Sequence, residues 1–374
     1  MTLVASFSIG DFSFILGDLL LSGPEQANQT LHLPSIGDVT QVFPQGAGRV
    51  PTSLERKVCH FSNIAVAWAG QYIPARTMIR ELFKETQENG PMSLEKLDNV
   101  FQNLDPWLRK TLDDGEVALL GYLIDPRDRT GVEFGANYSH LSSSILDNVR
   151  IAGSGSRVFQ EYFDHRRQSG LELITGAEEK SFEAAVCMAL TLTGMLLQLE
   201  IGTYGTLLRY FGGGYELISL ERGGRFHLCD DLIYAFWFAY VDDEGTTLSP
   251  VMKFFKQNYF RDILIIRTLE MKSQDPRNPI LFTVREDEVH YFPPMYRELT
   301  HQERSTLPKP DLNAFMLCSY ILVQSHKGIE VLAKFDWSKR REIPLRFADD
   351  GRHMMMQMQQ KHLEGIFNSI ESRK

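Results

Sequence analysis

Cysteine is scarce in this chain. Four are spread over 374 residues, at Cys59, Cys187, Cys229 and Cys318, and none forms a C-x-x-C pair. That pattern excludes a disulfide framework and a cysteine-built zinc site, and it reads as buried thiols in a reducing compartment. Basic charge is also in deficit. Lys and Arg number 39 against 48 Asp and Glu, for a formal net charge of −9. A dedicated nucleic-acid binder carries the opposite balance. The first apolar stretch has no basic residues ahead of it and contains Asp11 and Asp18, so it does not read as a secretory signal. Long apolar runs are missing too. The densest, Leu232 to Val241, falls short of the about 18 residues of a membrane span and reads as a buried strand. These absences point to the cytoplasm, with no nucleic-acid or membrane partner.

What is present is enough apolar side chain, 43%, to build a large core, with 23% charged residues. The length suits one large or two modest domains. The chain opens with Leu3, Ala5, Phe7 and Ile9 in alternation, then Gly10-Asp11, then Phe12, Phe14 and Leu16 in alternation again. This is a hairpin signature. A turn centred near Gly10 sets Thr2 opposite or nearly opposite Asp18. Initiator methionine is commonly trimmed before a small residue such as Thr2. The α-amine so released has an ordinary pKa of about 7.7–8.0 and can act as base to its own hydroxyl.

Further along, Lys57-Val58 opens a second apolar hairpin, with a turn at Ser62-Asn63 and a return strand from Ile64 to Ala69, ending at Gly70. Pro74 and the stripe Met78, Ile79, Leu82, Phe83 predict a helix closed by Gly90-Pro91. Leu94, Leu97, Val100, Phe101 and Leu104 predict a second. Val117 to Ile124 reads as a buried strand, paired near Gly131 to Phe134. The segment Gly153-Ser154-Gly155-Ser156 leads into a helix expected from Arg157 to Arg167. A strong helix is expected from Ser181 to Glu200, and the glycines 212–214 return the chain to strand and a hairpin. Strands, two helices, strands, two helices and strands suit packed sheets with helix pairs outside.

The acids Asp242-Asp243-Glu244 read as a solvated turn and a boundary rather than a cation site. Beyond it, Val251 to Phe260 reads as a short helix, followed by five strands between Ile263 and Phe335. The tail from about Phe347 ends in a helix. Its Met354, Met355, Met356 and Met358, with His353, are expected to pack on the second domain rather than bind a soft metal. No metal and no cofactor is expected.

Several of these residues, in order, resemble the proteasome β-subunit family and its bacterial two-ring relatives, members of the N-terminal nucleophile hydrolases. The resemblance spans roughly residues 1–242. Thr2 matches the family's N-terminal threonine, and Asp18 its aspartate at the same separation. Ser22 matches a small hydroxyl residue that binds substrate backbone. Lys57-Val58 matches the Lys-Val carrying the active-site lysine, after an insertion of some twenty residues. Ala69-Gly70 matches the Ala-Gly whose glycine N–H forms the oxyanion hole, and Gly153 to Ser156 the Gly-Ser-Gly-Ser that supports the nucleophile. The absence of a long extension before Thr2 resembles the catalytic rather than the α-type subunits. Trp68 and Tyr72 fall at positions lining the first substrate pocket, where two large rings imply a small residue or no peptide. Arg209 and Gly212 stand where the family has a supporting Asp and Ser.

The resemblance implies an α+β fold: a four-layer αββα sandwich over residues 1–245, with an additional smaller α+β domain over 246–374 for partner binding or assembly. It implies a threonine-type amide hydrolase acting on peptide or protein substrates, in a homo-oligomer or ring. Thr2 would attack, Lys57 and Asp18 would support it, Gly70 would stabilise the oxyanion, and Ser154 would position the amine. The rivals are a non-catalytic assembly or sensor subunit and a small-molecule amidase of the same fold.

Overall fold

The computed structural model describes residues 2–25, 31–39, 42–43, 48–143, 146–161, 173–174, 181–221, 223–243, 245–249, 253–275, 278–326, 328–337, 345–349 and 354–371. Met1, the expected helix beyond residue 161, Glu244 and His353 lie outside them. The fold is mixed α+β and dominated by sheet.

The opening hairpin forms as its alternation requires. Val4–Ile9 pairs antiparallel with Phe12–Asp18, with Ile9 opposite Phe12 and Val4 opposite Gly17. The turn is centred between Gly10 and Asp11 rather than on Gly10, which shifts the pairing by one residue, so the facing pair at the open end is Leu3 and Asp18, whose N–H donates to the Leu3 carbonyl at 3.0 Å. This hairpin lies at the middle of a six-stranded sheet, between Asp147–Ala152 on one side and Tyr215–Glu221 on the other. A four-stranded sheet runs Gly131–Ala136, Val117–Ile124, Ile64–Gly70, Val58–Phe61. The two sheets meet through Val4, Ile15, Val58, Ala65, Ala67, Leu120 and Ile218.

The far face of the four-stranded sheet takes helix Tyr72–Asn89, whose Ala75, Met78, Ile79 and Leu82 are buried against Val66, Trp68 and Leu119. Gly90, at φ 77°, ends that helix. The second helix stops earlier than its apolar spacing suggests, at Gln102. Asp105 caps a separate short helix, Pro106–Asp113, by accepting from Trp107 N–H at 2.9 Å. Pro106 explains the break, because proline is accommodated in a first turn and not in a helix interior.

Helix Phe182–Thr203 departs from expectation. It is not an outer helix: one cluster joins it to Phe7, Phe14 and Leu217 of the six-stranded sheet and to Tyr234, Phe236 and Tyr320 of a ten-stranded sheet. Its buried residues surround it, from Leu190 and Thr191 through Gly194 to Leu197. An all-round apolar helix belongs in an interior. By length and composition it could also cross a bilayer, contrary to the reading that no run is long enough, but 72% of that stretch is buried inside the protein. Gly194 lets the Tyr320 ring lie against its backbone, where a Cβ would sit 2.0 Å from the ring. The Tyr320 hydroxyl donates to the Leu190 carbonyl at 2.6 Å.

The ten-stranded sheet draws mainly on the second half of the chain. Leu232–Asp242 pairs parallel with Met316–Ser325 and antiparallel with Lys253–Phe260. The segment read as a short helix is thus the strand Lys253–Phe260. Its aromatic content favours strand, and Ile263–Asp275 covers its other edge. Helix Gln360–Glu371 packs on this sheet through Leu363, Ile366 and Ile370. The one buried polar side chain of that helix, His362, reaches Ser319 Oγ at 3.2 Å and Asp336 at 2.9 Å.

The halves are tied together near helix Tyr72–Asn89. Tyr296 stacks on Phe83 with centroids 4.1 Å apart, and Arg76 donates to the Met295 carbonyl at 3.3 Å. Buried Arg56 pairs with Glu216 and donates to the Asp262 carbonyl. All four cysteines are free and buried. Burial pushes the Cys59 and Cys229 thiols up to about 12, which leaves them unreactive near neutral pH.

Candidate active site

The open end of the first hairpin gathers a buried polar cluster. Asp18, fully buried, accepts from Thr2 Oγ1 at 2.6 Å and from Leu3 N–H at 2.9 Å on Oδ1. Its Oδ2 accepts from Leu20 N–H at 3.2 Å and Gly212 N–H at 2.9 Å. A carboxylate so surrounded by donors is held in one orientation.

Lys57 reaches this carboxylate because Gly17 allows the second sheet to come close. A Cβ on Gly17 would lie 2.7 Å from Val58 Cγ2 and 3.0 Å from Lys57 Cβ. Lys57 Nζ sits 3.6 Å from Asp18 Oδ1 and donates to the Leu20 carbonyl at 2.7 Å. It also lies 5.4 Å from the centroid of the Trp68 ring, a cation–π distance. Burial lowers the Lys57 ammonium pKa, with Asp18 and Glu55 pulling the other way. The Asp18 carboxylate supplies the counter-charge a buried ammonium requires.

Ser154 completes the cluster on the backbone side. Thr2 N–H donates to Ser154 Oγ at 3.2 Å, and that hydroxyl lies 3.4 Å from the Arg209 carbonyl. Gly155 N–H donates to the Thr2 carbonyl at 3.1 Å. Gly153, at φ 95°, must be glycine for this approach, because a Cβ there would meet the Thr2 carbonyl oxygen at 2.1 Å. Arg209 and Gly212 carry no supporting acid or hydroxyl, yet both act through their backbones. Arg209 offers a carbonyl to Ser154, and Gly212 an N–H to Asp18.

Thr2, Asp18, Lys57 and Ser154 are therefore brought together. The hydrogen bonds that gather them do not include Gly70, which ends its strand at φ 102° and is exposed. Ser22, in strand Leu20–Pro24, accepts from Arg49 Nε at 3.2 Å. Trp68 is fully buried, its Nε1 donating to the Arg56 carbonyl at 3.1 Å, and the Tyr72 ring stands 5.9 Å from it. Thr2 itself is 1% exposed.

Sequence reasoning missed Glu200, a fully buried carboxyl bonded to Ser35, Thr206 and Gly213. A signal was there: beyond the first turn it is the single acid in an otherwise apolar helix, and a lone buried acid calls for partners. Among the described residues no cluster of His, Cys, Asp and Glu could hold a metal ion. A groove of about 520 Å³ between helices Tyr72–Asn89 and Leu94–Gln102, lined by Thr77, Glu81, Lys84 and Asn99, includes none of the cluster residues.

No family model matches this chain, and no curated protein matches it. Among solved structures, eukaryotic HslV from Trypanosoma brucei is similar over 59% of this chain and 99% of its own, at 12% identity and a TM-score of 0.29. That TM-score is too low for the likeness to carry the fold or the chemistry, which rest on the residues above.

Proposed function

We propose that the chain is a threonine-type amide hydrolase, a peptidase, whose nucleophile is Thr2 once Met1 is removed. The observation that carries this reading is the Thr2 Oγ1 to Asp18 Oδ1 hydrogen bond at 2.6 Å, with Lys57 Nζ 3.6 Å from the same oxygen. Removal of Met1 turns the Thr2 N–H, already bonded to Ser154 Oγ, into a free amine. That amine takes the proton of Thr2 Oγ as the oxygen adds to an amide carbonyl. The C–N bond then breaks, the amine's proton goes to the leaving nitrogen, and an ester on Thr2 remains. Water adds to the ester with the amine again as base, and releases the acid.

Each neighbour has a role in this reading. Asp18 orients the hydroxyl and pairs with Lys57, whose positive charge favours the alkoxide-like state. Gly70 N–H meets the oxyanion, a contact of a kind worth about 2.7–4 kcal/mol. Ser22 binds substrate backbone, and Trp68 with Tyr72 restricts the first pocket to a small side chain. The reading extends to a four-layer αββα arrangement over residues 1–245, a ring or other homo-oligomer in the cytoplasm, and a partner-binding role for residues 246–374.

A second reading is a non-catalytic assembly subunit. It is favoured by the closure of the cluster, since Thr2 is 1% exposed and Lys57 and Trp68 are fully buried. One experiment separates the two: the intact mass and N-terminal sequence of the natively expressed chain, then turnover of a peptide library by wild type and Thr2→Ala. A chain starting at Thr2, with turnover lost in Thr2→Ala, supports the hydrolase. A retained Met1, or turnover equal in both proteins, sinks it and leaves the assembly subunit.

A further inference from the structure

Glu200 stands in the last turns of helix Phe182–Thr203, and its carboxylate is enclosed by donors that carry no charge. Gly213 N–H donates to Oε1 at 2.9 Å, and Ser35 Oγ donates to the same oxygen. Thr206 Oγ1 donates to Oε2 at 2.9 Å, and the Tyr215 hydroxyl lies 3.4 Å from it. The residue beside Gly213 is Gly212, whose N–H donates to Asp18 Oδ2 at 2.9 Å. Two successive N–H groups of one turn are thus divided between two buried carboxylates. Gly212 has φ 127°, and a Cβ on it would lie 2.0 Å from Glu200 Oε2, so the turn is seated directly on Glu200. The Gly212 carbonyl in turn accepts from Leu19 N–H at 3.1 Å and Leu20 N–H at 2.9 Å, the two residues after Asp18.

We propose that Glu200 is a positioning residue of the Thr2 site, fixing the 212–213 turn so that Gly212 N–H holds Asp18 in the orientation that faces Thr2 and Lys57. This rests on the reading of Thr2 as nucleophile. At the junction where the resembled family has a supporting Asp and Ser, this chain offers the Arg209 carbonyl to Ser154 and the Gly212 N–H to Asp18. A backbone donor has no rotamer of its own, so its aim depends on what grips the turn. Glu200 grips it from the helix, and Ser35 completes the grip from the segment inserted between Ser22 and Lys57. The support for Asp18 is therefore relayed from Ser35 and Thr206 through Glu200 to a glycine.

Charge adds a handle for testing. Burial pushes the Glu200 carboxyl up to about 7, against its hydrogen bonds from Ser35, Gly213 and Thr206. The titratable groups facing it are Asp18, Tyr215 and Lys253 of the ten-stranded sheet. Ionised Glu200 accepts from all its donors at once. Protonated, one oxygen becomes a donor, and one of those bonds must reverse or break.

The experiment is the rate of Thr2 esterification by a peptide β-lactone, followed by intact mass across pH 5–9, on full chains carrying a free Thr2 amine. Wild type is expected to label faster as pH rises through about 7. Glu200→Gln is expected to label about tenfold more slowly or worse and to keep only the rise that the Thr2 amine itself gives at about 7.7–8.0, without the inflection near 7, and Glu200→Asp to recover part of the rate. Should Glu200→Gln fail to fold, Thr206→Val and Ser35→Ala each remove one donor and are expected to shift the inflection. Glu200→Gln, or Thr206→Val in its place, labelling at the wild-type rate with an unchanged profile overturns the inference alone. No labelling of wild type overturns the nucleophile reading, and the inference with it.

Discussion

Thr2 Oγ1 and Asp18 Oδ1 lie 2.6 Å apart across the open end of the first hairpin, both removed from solvent. The hydroxyl is the donor, since the carboxylate can only accept. Asp18 thus orients the Thr2 hydroxyl before any terminal amine is free. The same carboxylate neutralises Lys57, so orientation of the hydroxyl and charge balance of the lysine depend on one side chain.

Thr2→Ala is expected to abolish peptide turnover while changing stability by only about 1 kcal/mol, the net value of one hydrogen bond. Thr2→Ser keeps a hydroxyl and is expected to retain measurable turnover. Equal loss in both variants would show that something other than the hydroxyl is being removed.

Asp18→Asn leaves Lys57 as an uncompensated charge in the interior. Breaking a buried pair in this way costs about 3–5 kcal/mol. Asp18→Asn combined with Lys57→Met removes both charges and should recover part of that loss. Urea unfolding of the two single variants and the double variant gives the coupling directly. A double variant no more stable than Asp18→Asn alone would mean the two charges are not paired in solution.

Part of this was legible in the sequence and part was not, for reasons that differ by residue. The hairpin was legible because apolar residues recur at every second position from Leu3 to Ile9 and from Phe12 to Leu16 and Gly10-Asp11 breaks them, a local signal. Thr2 and Asp18 were set near each other by the hairpin's turn, Lys57 and Ser154 were named on a family resemblance, and the four lie together. Their convergence depends on Gly17 and Gly153, whose close approaches no local pattern reveals. Helix Phe182–Thr203 was legible as a helix, but its position between two sheets was not. That position depends on strands more than a hundred residues further along, such as Tyr320 against Gly194. Lys253–Phe260 was misread for a similar reason, since its strand state is set by partners on both edges. Glu200 was missed because its donors, Ser35, Thr206 and Gly213, are brought to it only by the tertiary fold.

Gly153→Ala should be costly out of proportion to one methyl group. The residue has φ 95°, a region unfavourable to alanine, and the added carbon would meet a backbone oxygen, that of Thr2, at 2.1 Å. A side chain cannot swing aside to relieve such a contact, so the start of the chain must move. The expected loss is about 1–3 kcal/mol or more, with loss of labelling at Thr2. A thermal melt unchanged from wild type would contradict the placement of residue 153 beneath Thr2.

Glu200 should leave a mark on stability as well as on rate. Its carboxyl binds a proton more tightly in the folded chain, with a value of about 7 against an ordinary 4.5. The stabilising contribution of that raised value is fully present below pH 4.5 and is lost as pH rises through about 7. Over that window wild type should therefore lose stability relative to Glu200→Gln, by on the order of 3 kcal/mol if the whole shift is expressed. Carboxylates held low by ion pairs, such as Asp262 by Arg297 and Asp287 by Arg267 and Lys309, work in the opposite direction. They add stability as pH rises from acid, and they do so equally in both proteins. The difference between wild type and Glu200→Gln, taken from denaturant unfolding at half-unit steps between pH 4 and 8, isolates Glu200 from them. A difference that stays flat across the range would mean that residue 200 titrates alike in the folded and unfolded chain. The enclosure drawn for it by Ser35, Thr206 and Gly213 would then be wrong.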